Sequence, residues 1–318
     1  MPDSTSRFAP SSTGPAHPGT LLAALLAWLD ARAGNGHLLV RIEDLDTTRS
    51  REEWVDQMLA DLTWLGLEWD GLQKQSERVP LYEDALDTLA KEGHLYPCTC
   101  SRSQIRTHGL RAPDGGWRYP NTCRGTPLPV GGWRRSTLPL RIVLPNESVT
   151  IQDESGSQWH QNPTAEQGDP VALRRDGVVA YNLASVVDDG EAGVNRIVRG
   201  RDLAFSTPTQ WQIQTLLGYP NPVYRHHLLF LEEKDQKLAK LHGSVGAREL
   251  REHYSAEELC GFIAWAAGIL PASTPVTPID LLSQFSWKQV ASRDVLIHWN
   301  GSRLSNRGYS AVEEFPSA

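Results

Sequence analysis

Residues 7–46, RFAPSSTGPAHPGTLLAALLAWLDARAGNGHLLVRIEDLD, decide how the rest of the chain is read. A short strand at Arg7–Ala9 runs into the turn Pro10–Gly19, which holds three prolines and two glycines. From Thr20 onward Leu21, Leu22, Leu25, Leu26 and Leu29 recur at helical spacing and define one apolar face. Gly34 and Gly36 stop that helix, and His37–Ile42 is a compact apolar run of strand type leading to the carboxylates Glu43, Asp44 and Asp46. Strand, turn, helix and strand make a βαβ unit, and such units place ligands beyond the carboxyl ends of their strands. Gly19 and Thr20 then offer unpaired backbone N–H groups and the positive end of the helix dipole to an anion. Neither G-x-G-x-x-G after a strand nor G-x-x-x-x-G-K-[ST] occurs, so the two common phosphate fingerprints are excluded.

Downstream, apolar periodicity predicts helices over Arg51–Leu65 and Leu81–Glu92, stopped by Gly66 and Gly93. Strands are expected at Leu138–Val143, Ser148–Ile151 and Val171–Leu173, with Asp176-Gly177 turning into a hairpin arm at Val178–Tyr181. A helix from Asn182, a strand at Val194–Arg199, a helix over Thr207–Leu217 capped by Thr207, and a strand over Val223–Leu231 complete the alternation. From about Ser244 the pattern is helical. The fold class is α/β: a Rossmann-like parallel sheet, interrupted by an insertion and followed by a helical C-terminal tail. The expected divisions are 1–97 and 172–243 for the two halves of that domain, 98–171 for the insertion and 244–318 for the tail.

The chain has 318 residues, 40% apolar and 22% charged, an ordinary soluble composition, and no apolar run approaches the roughly 20 residues of a membrane span. The N-terminus lacks an apolar leader segment, so the expected compartment is the cytoplasm, without membrane attachment. The net charge of −7 gives no bulk reason to bind nucleic acid. Its distribution says more. Residues 98–141 carry Arg102, Arg106, Arg111, Arg118, Arg124, Arg134, Arg135 and Arg141 against the single acid Asp114, which suggests a local phosphate-facing patch. The same segment is poor in aliphatics and cannot bury a core unaided. It contains Cys98-x-Cys100 and Cys123, three soft thiolates that favour zinc. The fourth ligand is His108, Tyr119 or water. Cys260 stands alone and reads as a buried small apolar residue.

Pro10-Ser-Ser-Thr-Gly-Pro-Ala-His17-Pro-Gly19-Thr20 resembles the HIGH-type signature of class I aminoacyl-tRNA synthetases, in the form carried by the glutamyl branch, with Thr20 in place of the last histidine. Arg7 before the turn and the block Arg41-Ile-Glu-Asp-Leu-Asp46 resemble the same branch, and Lys237-Leu-Ala-Lys240 resembles its KMSKS loop, with Ala239 where serine is usual. The resemblance implies that His17 and Lys240 are catalytic. It places Pro10, Ser11, His17, Gly19, Thr20, Lys237 and Lys240 around ATP-Mg²⁺, and Arg7, Ala9, Ser11, Glu43, Tyr181 and Arg199 around glutamate. Arg7, Tyr181 and Arg199 would surround the side-chain carboxylate and Glu43 would meet the amino group. Arg7 and Glu43 are expected to be neighbours if their strands pair, whereas Arg41, Asp44, Asp46 and Asp202 are expected to make structural pairs.

C-x-C…Y-x₃-C, that is Cys98, Cys100, Tyr119 and Cys123, resembles the zinc site of a truncated branch of the glutamyl family. That branch passes activated glutamate to queuosine, the first anticodon base of aspartate tRNA. The expected partners are therefore L-glutamate, ATP, queuosine-bearing tRNA(Asp) and one structural zinc, on a monomer. The absence of a long anticodon-binding region after the lysine loop fits that branch. The alternatives are a compact glutamyl-tRNA synthetase acylating the tRNA 3′ end, a non-catalytic tRNA-binding paralogue, and a small-molecule nucleotidyltransferase of the same superfamily.

Overall fold

A computed structural model describes residues 4–234, 237–240 and 245–309. The chain divides into two compact units: Met1–Lys74, Arg196–Asp202 and Val223–Ser317 form the first, and Gln75–Asn195 with Leu203–Pro222 the second.

In the first unit, β1 (Thr5–Phe8) pairs in parallel with β2 (His37–Ile42), and α1 (Pro18–Ala33) connects them. Pro18 is tolerated at the helix start because its missing N–H has no intrahelical partner to lose. Leu22, Leu25, Leu26 and Leu29 are buried along α1 against Phe8, Leu38, Val40 and Ile42 from one face of the strands. Side chains alternate across a strand, so Arg7, Arg41 and Glu43 fall on the other face. After α2 (Glu52–Trp64), β3 (Gly71–Lys74) adds to β2 in parallel. No strand is expected there from Gly71-Leu-Gln-Lys74, which has one apolar residue; the ladder from β2 recruits it. Gly71 permits the approach, since a Cβ there would meet Leu39 Cδ2 at 2.9 Å.

The second unit opens with α3 (Val79–Lys91), and β4 (Leu95–Pro97) leads into the insertion. There α4 (Arg102–Thr107) is held by a Ser101–Gln104 capping box. β5 (Leu140–Ile142) returns antiparallel to β4, and β6 (Val149–Gln152) and β7 (Gln158–Gln161) form a separate hairpin. α5 (Pro163–Glu166) precedes β8 (Val171–Leu173), which pairs with β5. The predicted hairpin arm at Val178–Tyr181 is reduced to one bridge, Leu173–Val179, because Tyr181 already opens α6 (Tyr181–Glu191). Asp188 on α6 is fully buried and accepts from Gln75 Nε2 at 2.7 Å, Arg78 Nε at 2.6 Å and the Tyr82 hydroxyl at 2.9 Å. One carboxylate thus fastens α6 to the start of the unit.

The chain returns to the first unit for β9 (Arg196–Gly200), which lies beside β1. It then gives the second unit α7 (Thr207–Leu216), whose cap is Ser206, without a side-chain bond, rather than Thr207. β10 (Val223–His227) pairs in parallel with β9. The strand expected over Val223–Leu231 is broken at Leu228-Leu229, and β11 (Phe230–Lys234) begins a new antiparallel pair with β12 (Lys237–Lys240). The lysine segment is thus a hairpin arm in its backbone, not a loop.

The tail is helical as far as α8 (Ala247–His253), α9 (Ala256–Ala266) and α10 (Pro278–Leu282). Beyond them it turns to strand, which corrects the expectation of an all-helical tail. β13 (Val295–Trp299) pairs in parallel with β11 and antiparallel with β14 (Leu304–Tyr309), giving the order β12-β11-β13-β14. Leu259, Ile263, Leu281, Val295 and Ile297 join the α1 core, and Cys260 is fully buried there, its thiol pushed up to about 12 by burial. Among the described residues, no helix is long and apolar enough to cross a membrane.

Candidate active site and metal centre

The face of the parallel strands turned away from α1 is charged. Arg7 and Arg199 are each 4% exposed and Arg41 is fully buried. The ladder pairs Arg199 with His226, and Arg199 Nε donates to His226 Nε2 at 3.0 Å. That bond leaves the imidazole proton on Nδ1. His226 stacks in parallel on Tyr224, over which the Arg199 guanidinium also sits, 5.3 Å from the ring centre. Neither Tyr224 nor His226 is among the expected site residues. The alternation in Val223-Tyr-Arg-His-His227 was the available signal, because it puts both on the face of Arg199.

Register corrects one expectation. β1 and β2 do pair, but Arg7 lies opposite Leu39, and the residue bridged to Glu43 is Ser11. At about 3.3 Å per residue, Arg7 and Glu43 are separated by about 13 Å along the strands, though they share a face. The Glu43 N–H donates to the Pro10 carbonyl at 2.9 Å, so Pro10 and Ser11 sit directly beside the end of β2, and Ala9 lies in the connection between Phe8 and Pro10. Arg41 lies 3.7 Å from Glu43, and Asp46 is held by Thr48 at 2.6 Å and Arg49 at 3.0 Å. The Thr48 hydrogen bond, with help from Arg49, keeps the Asp46 carboxyl below the usual range.

His17 is the N-cap of α1. Its Nδ1 accepts from the Thr20 N–H at 3.3 Å, which fixes the ring at the positive end of the helix. Gly19 lies against that ring: a Cβ would stand 3.1 Å from His17 Cε1 and 3.2 Å from Nδ1. The side chains of Lys237 and Lys240 fall outside the described residues. Tyr181 belongs to the second unit, where it is the first residue of α6 and 38% exposed.

The second unit carries a metal-type cluster. The sulfurs of Cys98, Cys100 and Cys123 lie within 4.8 Å of one another, and Cys100 and Cys123 approach to 3.6 Å. Bonds of about 2.3 Å to a tetrahedral zinc separate two sulfurs by about 3.8 Å, so the donor set and its spacing fit that ion. Cys98 Sγ is 3.4 Å from the Tyr119 hydroxyl, which accepts from the Cys123 N–H at 3.0 Å, whereas His108 does not converge with the sulfurs. Burial opposes ionisation of Cys123, but hydrogen bonding with Thr99 outweighs it and holds the thiol down to about 6; burial pushes Cys100 up to about 11.

Arg141 reaches Cys98 Sγ with Nε at 3.3 Å and covers the Tyr119 ring at 3.5 Å. The fully buried Asp169 is a second hub that pattern alone does not reveal. It accepts from Tyr96 at 2.8 Å and from Arg124, the residue after Cys123. Arg134 pairs with Glu83 and Asp87. The cationic patch is therefore smaller than composition suggests: Arg102, Arg106, Arg111 and Arg135 remain exposed, with Arg111 stacked 3.8 Å over Trp117.

A split parallel sheet with a capped helix N-terminus at its carboxyl end is the architecture of the class I synthetases. The chain belongs to the family of class I tRNA synthetases (E and Q), whose catalytic-domain model matches residues 4–263. It is 41% identical to the Glutamyl-Q tRNA(Asp) synthetase of Symbiobacterium thermophilum over 310 residues, covering 92% of this chain and 95% of that protein. The protein of the same name from Geobacter sulfurreducens is 44% identical over 76% of each chain. The glutamate–tRNA ligase of Aquifex aeolicus is 37% identical, over 81% of this chain and 56% of its own length. A crystal structure of the glutamate tRNA ligase from Elizabethkingia meningosepticum with its amino acid shares the fold at a TM-score of 0.76 and 22% identity, over 92% of this chain and 67% of that one.

Proposed function

We propose that the protein activates L-glutamate with ATP-Mg²⁺ and transfers it to queuosine in the anticodon of tRNA(Asp). In the first step an α-carboxylate oxygen of glutamate attacks the α-phosphorus, pyrophosphate leaves, and glutamyl-adenylate forms. In the second, a hydroxyl of the queuosine cyclopentenediol attacks the glutamyl carbonyl and AMP leaves. No protein nucleophile is needed, because positioning and charge stabilisation suffice.

The observation that carries this reading is the charged face, where Arg7 and Arg199 are buried on neighbouring strands of a family member that is 41% identical to a Glutamyl-Q tRNA(Asp) synthetase. Buried guanidiniums favour a dicarboxylic amino acid and disfavour glutamine, which brings no compensating charge. Ala9 and Ser11 line the carboxylate pocket in this reading, and Glu43 meets the ammonium group. His17, the Gly19 N–H, Thr20, Pro10, Ser11, Lys237 and Lys240 receive ATP in this reading, the Thr20 N–H itself being taken by His17 Nδ1. A zinc held by Cys98, Cys100 and Cys123, with Tyr119 at the fourth position, joins the two ends of a loop too poor in aliphatics to fold alone. The exposed arginines of that lobe face the RNA backbone, and the cytoplasm is the expected compartment.

Glutamate-dependent ATP–pyrophosphate exchange tests the first step. Purified protein with magnesium should catalyse it, and Lys240→Ala should lower it by about 10²-fold or more. No exchange with wild-type protein contradicts the enzyme reading, and a wild-type rate in the variant removes Lys240 from the site.

A further inference from the structure

Two segments that the proposed site depends on, the turn after β9 and the β11–β12 hairpin, are joined by one residue of the tail. Asp294 Oδ2 lies 2.6 Å from an Arg201 guanidinium nitrogen, and its Oδ1 accepts the Leu229 N–H at 2.6 Å. Arg201 directly follows Gly200, the last residue of β9, and its guanidinium also donates to the Ser292 carbonyl at 3.2 Å. Leu229 is the residue before β11. Its carbonyl accepts from the Val295 N–H at 3.0 Å, and β13 continues the pairing opposite Phe230 and Leu231. Three tail residues, Ser292, Asp294 and Val295, therefore tie the carboxyl end of β9 to the root of the lysine-bearing hairpin.

The tie is buried: Asp294 is 6% exposed, and both its oxygens are engaged. A buried charge-assisted pair that also fixes a backbone N–H constrains position more tightly than a surface ion pair, which holds two mobile side chains in water. At this end β11 also pairs with β13 at Phe230 and Leu231, and Phe230 is buried in the core shared with α1.

We propose that Asp294 is a positioning residue for ATP activation, which sets where the β11–β12 hairpin, and Lys240 with it, stands relative to the Gly200-Arg201-Asp202 turn. The inference rests on the reading of Lys240 as an ATP-contacting residue. It gives the tail beyond α10 a part in catalysis that does not depend on RNA.

Asp294→Asn keeps the side-chain shape and the acceptor for Leu229 but loses the charge, and Arg201→Met removes the other partner while leaving that acceptor in place. In pyrophosphate exchange each should lower kcat by about tenfold, with the KM for glutamate within about twofold of wild type, because a small displacement of a charge-stabilising group acts on the chemical step. The deciding measurement is the same substitution in the Lys240→Ala protein. If Asp294 acts through Lys240, Asp294→Asn costs less than about twofold there, as expected for coupled sites. An equal cost in both backgrounds means a general structural role and overturns the proposal, as does a wild-type rate for Asp294→Asn. Should Asp294→Asn not fold, Arg201→Met is carried through the same cycle with the same two outcomes. A Lys240→Ala protein with wild-type exchange overturns the lysine reading and the proposal together, which separates that failure from the failure of Asp294 alone.

Discussion

A methyl group on residue 19 would press on the His17 ring at 3.1 Å, while the same methyl would favour the helix. Gly19→Ala therefore opposes stability to function. The account predicts a melting temperature equal to or above wild type and a reduced rate of pyrophosphate exchange, read by calorimetry and exchange on one preparation. Unchanged exchange would mean that the orientation of His17 is unimportant. A second residue sets acid sensitivity. Burial holds the His227 imidazole down to about 4, with its Nδ1–H donating to the Leu228 carbonyl at 2.7 Å and Asp202 the nearby charge. The unfolded chain binds a proton at this residue from about pH 6.5 downward and the folded chain does not, so stability is complete above 6.5 and is lost as pH falls toward 4. The slope approaches about 1.4 kcal/mol per pH unit in that window. His227→Gln, compared with wild type by denaturant unfolding between pH 4 and 7, should flatten the slope; the same slope in both would remove His227 as its cause. Residues such as Asp188, Asp169 and Asp294 were not legible as hubs, because a single acid reveals its role only through partners distant in sequence.

At the scale of elements, what could be read was local. β2 was expected with its observed bounds, and α1 within two residues at its start, because dense leucines are bracketed there by prolines and glycines. β3 and β13 needed non-local partners: one is recruited by β2, and the other docks on β11, some sixty residues earlier in the chain. Register was illegible for the same reason, which is why Arg7 and Glu43 looked adjacent and are four positions apart along the ladder. The metal lobe was legible as a cluster, since three cysteines in an aliphatic-poor segment imply an external staple, but only the fold brings Tyr119 to the sulfurs and keeps His108 away. The lobe yields a prediction of its own. Metal analysis should find about one zinc per chain, lost in Cys98→Ser, with a lowered melting temperature on chelation. A metal-free protein that melts at the wild-type temperature would contradict the ligand set.

For the whole molecule, the two halves of a parallel sheet present buried cations on one face and pack an apolar helix on the other, and the tail shares the core of that helix. The family follows from this architecture and from the matching sequence, while the acceptor of the glutamyl group is decided by RNA. The most direct measurement follows labelled glutamate onto tRNA(Asp) with and without queuosine, each with and without the 3′-terminal adenosine. Periodate is not used to block the 3′ end, because it would also cleave the cis-diol of queuosine. The account predicts label on queuosine-bearing tRNA whether or not that adenosine is present, and none on tRNA lacking queuosine. Transfer that requires the terminal adenosine and ignores queuosine would contradict it.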